Sequence, residues 1–132
     1  MIVVDASAVV DAVVHERADP ALTERLRADS QLHAPHLIDV EVAHALRRLV
    51  ALGELSSDRA SDARVDVAEL PIRRYPHRPL LERAWELRDS LSAYDAVYVA
   101  LAELLEAPLV TCDERLARAP GHDAEIELFA SS

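Results

Sequence analysis

The sequence predicts an α/β fold with a central parallel sheet that helices cover on both faces. Short apolar runs such as Ile2-Val3-Val4 and Leu109-Val110-Thr111 have the β-branched composition of buried strands. Segments of about ten to fifteen residues with helical periodicity separate these runs, and such spacing requires crossover connections between parallel strands. The length of 132 residues is that of one domain, which we expect to span residues 1–132.

Strand-like and helical segments alternate along the chain. Strands are predicted at residues 2–4, 32–34, 109–111 and 126–129, and a short extended piece at 71–75. Helices are predicted from the residues after Ser7 to about residue 14, and over 20–28, 37–52, 56–70, 80–91, 92–106 and 113–118. Asp19 and Asp113 are expected to cap helix N-termini, Gly53 to cap a C-terminus, and Pro108 to end the helix before it. The helix over 92–106 is apolar on almost every side, so we expect neighbouring elements to bury it.

Charge and composition exclude several function classes. There are 24 acidic residues against 14 basic ones, all arginine, which gives a net charge of −10. This balance argues against a protein that coats DNA through many cations, and it fits a metal site, a basic partner or plain solubility. The absence of lysine removes Schiff-base and P-loop chemistry. Two glycines are too few for a glycine-rich phosphate loop.

The sequence also carries signals of cellular location. One cysteine, Cys112, cannot form an internal disulfide, which favours a reducing compartment. No signal peptide is visible at the N-terminus, and no segment approaches the roughly 20 apolar residues that span a bilayer. We therefore expect a cytoplasmic protein without a membrane partner.

Two acidic residues follow predicted strands. Asp5 comes directly after the first strand, and Asp113 follows the strand at 109–111 with only Cys112 between. Ligands of open parallel sheets bind beyond the carboxyl ends of the strands, so both carboxylates are candidates for a shared site. The alternative for each residue is an ordinary helix N-cap.

Two further acids lie on predicted helices. Glu41 falls at the margin of an apolar helical stripe, where it is either a partly desolvated site residue or an edge residue paired with Arg48. Asp95 follows Ser92 by three residues and has the form of a capping box, but its helix is otherwise almost wholly apolar. Both carboxylates are compatible with a site at the same edge of the sheet.

Four carboxylates are the ligands that a hard divalent cation, Mg²⁺ or Mn²⁺, prefers. Such a cation polarises a phosphoryl oxygen and lowers the pKa of a bound water, so phosphodiester hydrolysis is the natural chemistry. Other metal patterns are weaker. The pair Glu41 and His44 lacks the second copy that a di-iron centre needs, and His33 with His36 lacks a second pair of zinc ligands.

The acids occur in four segments that together resemble the PIN-domain ribonucleases, specifically the VapC-type toxins of bacterial type II toxin-antitoxin pairs. The segments begin at Val3, Val40, Tyr94 and Leu109, and read VVDASA, VEVAHALRR, YDAVYVALAE and LVTCD. The resemblance runs from residue 1 to about residue 116, and the last two segments are the most specific.

The resemblance implies a PIN-like α/β/α sandwich and an endoribonuclease that depends on Mg²⁺ or Mn²⁺ and cuts structured RNA such as tRNA. It also implies a cognate VapB-type antitoxin and a homodimer. Matched residue by residue, the acidic quartet is Asp5, Glu41, Asp95 and Asp113, with Asp5 and Asp95 in direct metal contact. Ser7 and Thr111 match the supporting hydroxyl residues of the family. Contacts to RNA fall to arginines, with Arg47, Arg48 and Arg115 as the candidates near the acids.

Two other classes of phosphoryl-transfer protein share part of this pattern. Response-regulator receivers and haloacid-dehalogenase-like phosphatases resemble the chain in size or in an Asp after the first strand, but both rely on a lysine that this sequence lacks. A PIN-like fold kept only for binding partners, with its acids serving as helix caps, remains the alternative.

Overall fold

A five-stranded parallel sheet forms the centre of the protein. The computed structural model describes residues 1–14 and 19–130. In spatial order β3-β2-β1-β4-β5, the strands are β1 (Ile2–Val4), β2 (Leu32–Pro35), β3 (Ile72–Tyr75), β4 (Leu109–Thr111) and β5 (Ile126–Leu128). Every pairing is parallel. The predicted α/β class with a parallel sheet is confirmed, and the extended piece at 71–75 proves to be an edge strand of that sheet.

Helices cover this sheet. They are α1 (Ala6–Val14), α2 (Pro20–Ala28), α3 (Leu37–Ala51), α4 (Ser57–Glu69), α5 (Leu81–Glu86), α6 (Ala93–Leu105) and α7 (Glu114–Arg118), with a 3₁₀ turn at Arg78–Leu80 before α5. Helices α1, α3 and α4 pack on one another, and α5 packs on α6. Because parallel crossovers are right-handed, the reversal of direction after β3 places these two groups on opposite faces of the sheet.

The core is built from small aliphatic side chains. All three residues of β1 are fully buried, and α6 buries seven consecutive residues from Ala96 to Ala102. The prediction that neighbours bury α6 on nearly every side is therefore confirmed. Tyr98, in the middle of α6, is the largest of the fully buried side chains. No helix in the described ranges is long and apolar enough to cross a membrane.

Helix ends follow the predicted signals. Asp19 and Asp113 accept hydrogen bonds from the first turns of α2 and α7, and Gly53 has φ +74° after α3. Helix α6 ends at Leu105, just before Pro108, as predicted. At this end Glu106 adopts a left-handed conformation at φ 51°, and Ala107 N donates to Ala102 O.

The prediction of one helix over residues 80–91 is wrong in its length, because α5 ends at Glu86. Beyond it the backbone makes irregular turns, in which Arg88 N donates to Trp85 O and Ser90 N donates to Leu87 O. The Arg88 guanidinium also donates to Trp85 O at 2.9 Å and lies over the Trp85 ring. A side chain that takes a helical carbonyl competes with the next turn, and periodicity alone does not reveal that competition.

Candidate active site

The site lies where the chain reverses its direction across the sheet. Strands β1 and β4 are neighbours, with Val4 opposite Val110, although more than a hundred residues separate them along the chain. One crossover leads from β1 to β2 and onward to β3, while β4 lies on the other side of β1. This arrangement opens a crevice at the carboxyl ends of β1 and β4, which is the usual ligand position in such sheets.

Asp5 leaves β1 at this crevice, and three donors hold its carboxylate. Its Oδ1 accepts from Ser7 Oγ at 2.7 Å and from Ala8 N at 3.0 Å, while its Oδ2 accepts from Thr111 Oγ1 at 2.5 Å. The side chain is buried, and burial raises its pKa to about 6 because the three hydrogen bonds offset desolvation only in part. The hydrogen bonds therefore fix the orientation of the Asp5 carboxylate, while burial makes its ionised form less stable than it is in water.

Ser7 and Thr111 also link the two turns that form the crevice. Ser7 Oγ accepts from Cys112 N, and Thr111 Oγ1 accepts from Asp113 N, each at 3.0 Å. The two hydroxyl oxygens are 3.3 Å apart. The turn after β1 is therefore locked to the turn after β4 through side chains that also donate to Asp5.

Asp113 caps α7, as the alternative reading expected, and it lines the crevice as well. Its Oδ1 accepts from Arg115 N at 2.9 Å, and the Arg115 guanidinium lies 3.4 Å from Oδ2. Asp95 stands in the first turn of α6, where Asp95 N donates to Ser92 Oγ. Burial and the nearby charge of Asp113 raise the pKa of Asp95. Capping and a place at the crevice are therefore compatible for both turns.

Glu41 reaches the crevice from α3. Burial raises its pKa, the charges of Asp95 and Asp5 raise it further, and the Tyr98 hydroxyl acts in the opposite direction. The expected alternative, an ion pair between Glu41 and Arg48, does not form within the part of the chain that the structure describes. The Glu41 carboxylate is half-buried and makes no ion pair with an arginine among the described residues, although His44 also lowers its pKa, and burial without such a pair is an unfavourable state for a charge.

These side chains surround one cavity of about 340 Å³, which we call the acidic cavity. Its lining consists of Asp5, Ala6, Ser7, Glu41, His44, Ala45, Arg48, Asp95, Tyr98, Asp113 and Arg115. All four acids singled out in the sequence are present, together with two of the three arginines. Arg47 lies elsewhere, in a groove between α3 and α4. The catalytic and RNA-binding roles of these residues stay predictions.

Two lining residues were missed as site candidates. His44, one turn after Glu41, is exposed at the surface and also lines the cavity. Tyr98 lies three residues after Asp95, and this spacing on an otherwise apolar helix was the signal for a shared position. Its hydroxyl is buried without a hydrogen-bond partner among the described residues, yet it is close enough to Glu41 for each group to shift the pKa of the other. A buried hydroxyl left unpaired costs about 1–3 kcal/mol.

The donor set of the acidic cavity fits a hard divalent cation. Four carboxylates face one space, and three of them, Asp5, Glu41 and Asp95, have raised pKa values that a cation would relieve. No three His, Cys, Asp or Glu side chains in the described ranges lie close enough to bind one ion directly. Mg²⁺ keeps several of its waters and is usually held by one or two carboxylates, so the residues fit a hydrated ion. His33, a residue of the weaker zinc pattern, pairs instead with the Tyr75 hydroxyl at 2.8 Å.

A carboxylate-lined crevice on a parallel sheet is the kind of site that metal-assisted phosphoryl-transfer enzymes use. Comparison with known proteins narrows this class. The family model described as PIN domain matches residues 2–122. Ribonuclease VapC1 of Mycobacterium tuberculosis is 49% identical over 127 residues, which cover 96% of each chain.

Two further comparisons agree. Ribonuclease VapC12 of the same organism is 45% identical over 130 residues, which cover 98% of this chain and 100% of that one. The crystal structure of PAE2754 from Pyrobaculum aerophilum superposes with a TM-score of 0.69 at 26% identity, and the match covers 95% of this chain and 81% of that one. The chain therefore belongs to the PIN-domain family, within its branch of VapC ribonucleases.

Proposed function

We propose that the chain is a toxin-type endoribonuclease that hydrolyses phosphodiester bonds of RNA with the help of Mg²⁺ or Mn²⁺ in the acidic cavity. The observation that carries the proposal is the meeting of four carboxylates from four separate elements around one cavity of about 340 Å³. Stability alone does not favour such an assembly, because like charges repel and burial disfavours each of them. The names of the VapC relatives, which are called ribonucleases, support RNA as the substrate.

Each acid has a proposed part. Asp5 and Asp95 would contact the cation directly, and Glu41 and Asp113 would complete the acidic set that holds it. Ser7 and Thr111 hold the Asp5 carboxylate in one orientation through their hydroxyl groups. When bound, the cation supplies a Lewis acid for a phosphate oxygen and lowers the pKa of a water. The chain's own task is to keep the carboxylates apart from bulk water and aimed at one point.

Arginines at the rim complete the proposed substrate site. Arg48 and Arg115 line the acidic cavity, and their forked donors match phosphate oxygens. With no lysine in the chain, arginine is the side chain left to hold the flanking phosphates with full charge. Structured RNA such as tRNA is the proposed substrate, on the family resemblance.

The proposed partner is a VapB-type antitoxin, bound in the cytoplasm by a homodimer of this chain. A solved neighbour of the same fold is VapBC2 from Rickettsia felis bound to a DNA fragment from its promoter, with a TM-score of 0.69 at 13% identity. A net charge of −10 suits an antitoxin segment that is basic. Light scattering of the chain alone, and of the chain co-expressed with a candidate VapB-type antitoxin, measures both assemblies, and we expect a dimer in the first case and a larger complex in the second.

The decisive experiment incubates the purified protein with tRNA at millimolar Mn²⁺, at millimolar Mg²⁺ and with EDTA. We expect cleavage with either ion, loss of cleavage in EDTA, and products that carry a 5′-phosphate and a 3′-hydroxyl. We also expect Mn²⁺ to raise the Tm by several degrees, because an ion that binds only the folded state stabilises it.

Two results would contradict the proposal. Cleavage that persists in EDTA would exclude the role of the cation. No cleavage of any RNA, together with an unchanged Tm at millimolar Mn²⁺, would favour the alternative of a PIN-like domain that only binds partners.

A further inference from the structure

Tyr98 carries a buried polar group that packing does not explain. Its side chain is 1% exposed at the centre of α6. Within the described part of the chain, its hydroxyl is the buried side-chain oxygen or nitrogen atom that lacks a hydrogen-bond partner. Phenylalanine would fill nearly the same volume and leave no donor unpaired. Packing therefore accounts for the ring of Tyr98 but not for its hydroxyl.

Carboxylates are the groups that act on this hydroxyl. Burial raises the pKa of Tyr98, and its interaction with Glu41 and the charges of Asp5 and Asp95 raise it further. A tyrosine hydroxyl carries its proton at neutral pH in any case. It is a permanent donor that lines a cavity of acceptors.

Within the residues that the structure describes, the Glu41 carboxylate lacks short hydrogen bonds of the kind that hold Asp5 and Asp113 in place. Asp5 accepts three hydrogen bonds, and Asp113 accepts from the first turn of α7. Glu41 has a longer side chain and makes no ion pair within the described residues. Since Tyr98 and Glu41 influence each other's pKa, the tyrosine hydroxyl is the donor placed to restrain it.

We propose that Tyr98 is a positioning residue of the acidic cavity, whose hydroxyl donates to the Glu41 carboxylate and holds it toward the bound cation and its waters. This inference rests on the proposed function. Among the described residues the Tyr98 hydroxyl faces Glu41 across the cavity without a hydrogen bond of normal geometry. The bond therefore contributes mainly to the cation-bound state. A hydroxyl that is unpaired before binding and paired after it favours the bound state.

The test removes only the hydroxyl, with Tyr98→Phe. We expect the Kd for Mn²⁺, measured by titration calorimetry on the full chain, to rise about tenfold, as fits a hydrogen bond to a charged group. The Tm of the metal-free variant is expected to stay equal to that of the parent or to rise, because an unpaired buried donor is gone. A purely structural role for the hydroxyl would lower that Tm and leave the Kd unchanged.

Tyr94→Phe is the matched control. Tyr94 lies on the same helix but is 63% exposed, so its hydroxyl is not expected to affect Mn²⁺ binding. A double-mutant cycle with Glu41→Ala then asks whether Tyr98 acts through Glu41. In the Glu41→Ala background, Tyr98→Phe should change the Kd by less than about twofold.

The outcomes separate this inference from the function on which it rests. If the parent binds Mn²⁺ and Tyr98→Phe binds it equally well, the positioning role is overturned and the proposed function stands. If the effects of Tyr98→Phe and Glu41→Ala on the Kd are additive, the hydroxyl does not act through Glu41. If the parent itself fails to bind Mn²⁺, the cation site and the positioning role are both overturned.

Discussion

The acidic residues with shifted pKa values fall into two groups, one at each end of the sheet. Helix α6 carries one acid at each end: Asp95 lies at the carboxyl edge with a raised pKa, and Glu103 lies near the amino edge with a lowered one. Arg83 binds Glu103 through two hydrogen bonds, at 2.8 and 3.0 Å. Asp29, also at the amino edge, is paired with the N-terminal ammonium and with Arg25.

The comparison shows that acidic residues have two different physical roles in this protein. At the amino edge a neighbouring cation lowers the pKa of each of these acids, so they stabilise the fold as ordinary ion pairs. At the carboxyl edge Asp5 is buried, Glu41 and Asp95 are half-buried, and all three have raised pKa values. Binding of a cation from solution would stabilise their charged forms. A net charge of −10 alone does not distinguish the two groups.

The largest expected effect comes from removing one charge at the carboxyl edge. Asp95→Asn keeps the shape of the side chain and should lower the rate of RNA cleavage about a thousandfold or more, because a cation ligand is lost. A cleavage assay with end-labelled RNA measures the rate, and expression in a host should no longer arrest growth. The fold should stay intact, as judged by circular dichroism. Cleavage by Asp95→Asn at the parental rate would show that Asp95 is not a cation ligand.

The equivalent change at the other end of α6 should have the reverse outcome. Glu103→Gln breaks the paired hydrogen bonds with Arg83 and should lower the free energy of unfolding by about 1–2 kcal/mol. Urea denaturation measures this loss, and the cleavage rate at saturating Mn²⁺ should be unchanged. If Glu103→Gln abolished cleavage without destabilising the fold, the distinction between the two edges would fail.

The pH dependence of stability sharpens the comparison further. The pKa of Asp5 is raised from 3.8 to about 6 in the folded state, so the folded protein binds a proton that the unfolded chain releases. Without metal, Asp5 should therefore add about 1 kcal/mol to the free energy of unfolding as the pH falls from about 7 to about 5. That stabilisation is complete below the unfolded pKa and is lost as the pH rises through 6.

Asp5→Asn is the control for this pH effect, since it should remove most of the gain measured by urea denaturation. The paired acids Asp29 and Glu103, with lowered pKa values, act in the opposite direction at more acidic pH. Burial lowers the pKa of His33, which opposes the gain between pH 7 and pH 5, so the contribution of Asp5 is the difference between the parent and Asp5→Asn. The same pH dependence of stability in both proteins would contradict the assignment of Asp5.

The smallest expected effect concerns the rim of the acidic cavity. Arg115→Ala should raise the KM for RNA by about threefold to tenfold through loss of a phosphate contact, with an unchanged Tm. Arg118→Ala is the matched control, because Arg118 is an exposed arginine of the same helix that pairs with Glu114 and does not line the cavity. Equal KM changes in the two variants would mean that Arg115 has no special position.

Local patterns predicted most of the fold, because strands and caps depend on neighbouring residues. The run Ile2–Val4 and the caps Asp19 and Asp113 were found from the sequence, and the structure has them in place. The early end of α5 was not found, since it depends on where the Arg88 side chain donates. An edge strand at Ile72–Tyr75 was predicted only as an extended piece, because its pairing with β2 is a long-range contact.

The site shows the same division. Asp5 and Asp113 were visible as acids after strands, and Glu41 and Asp95 as acids on apolar helices. The hydroxyl of Tyr98 was not recognised, because its surroundings depend on how α6 and α3 approach each other rather than on either helix alone. Arg47 and Arg48 are adjacent in sequence, but the helical turn directs only Arg48 to the acidic cavity.

The hydrogen bond from Thr111 to Asp5 joins positions 106 residues apart, and this separation has a consequence during synthesis. Strand β1 is synthesised long before β4, so the Asp5 carboxylate lacks its Thr111 donor while the residues between them are being added. The acidic cavity is therefore assembled only after β4 has been synthesised and has paired with β1.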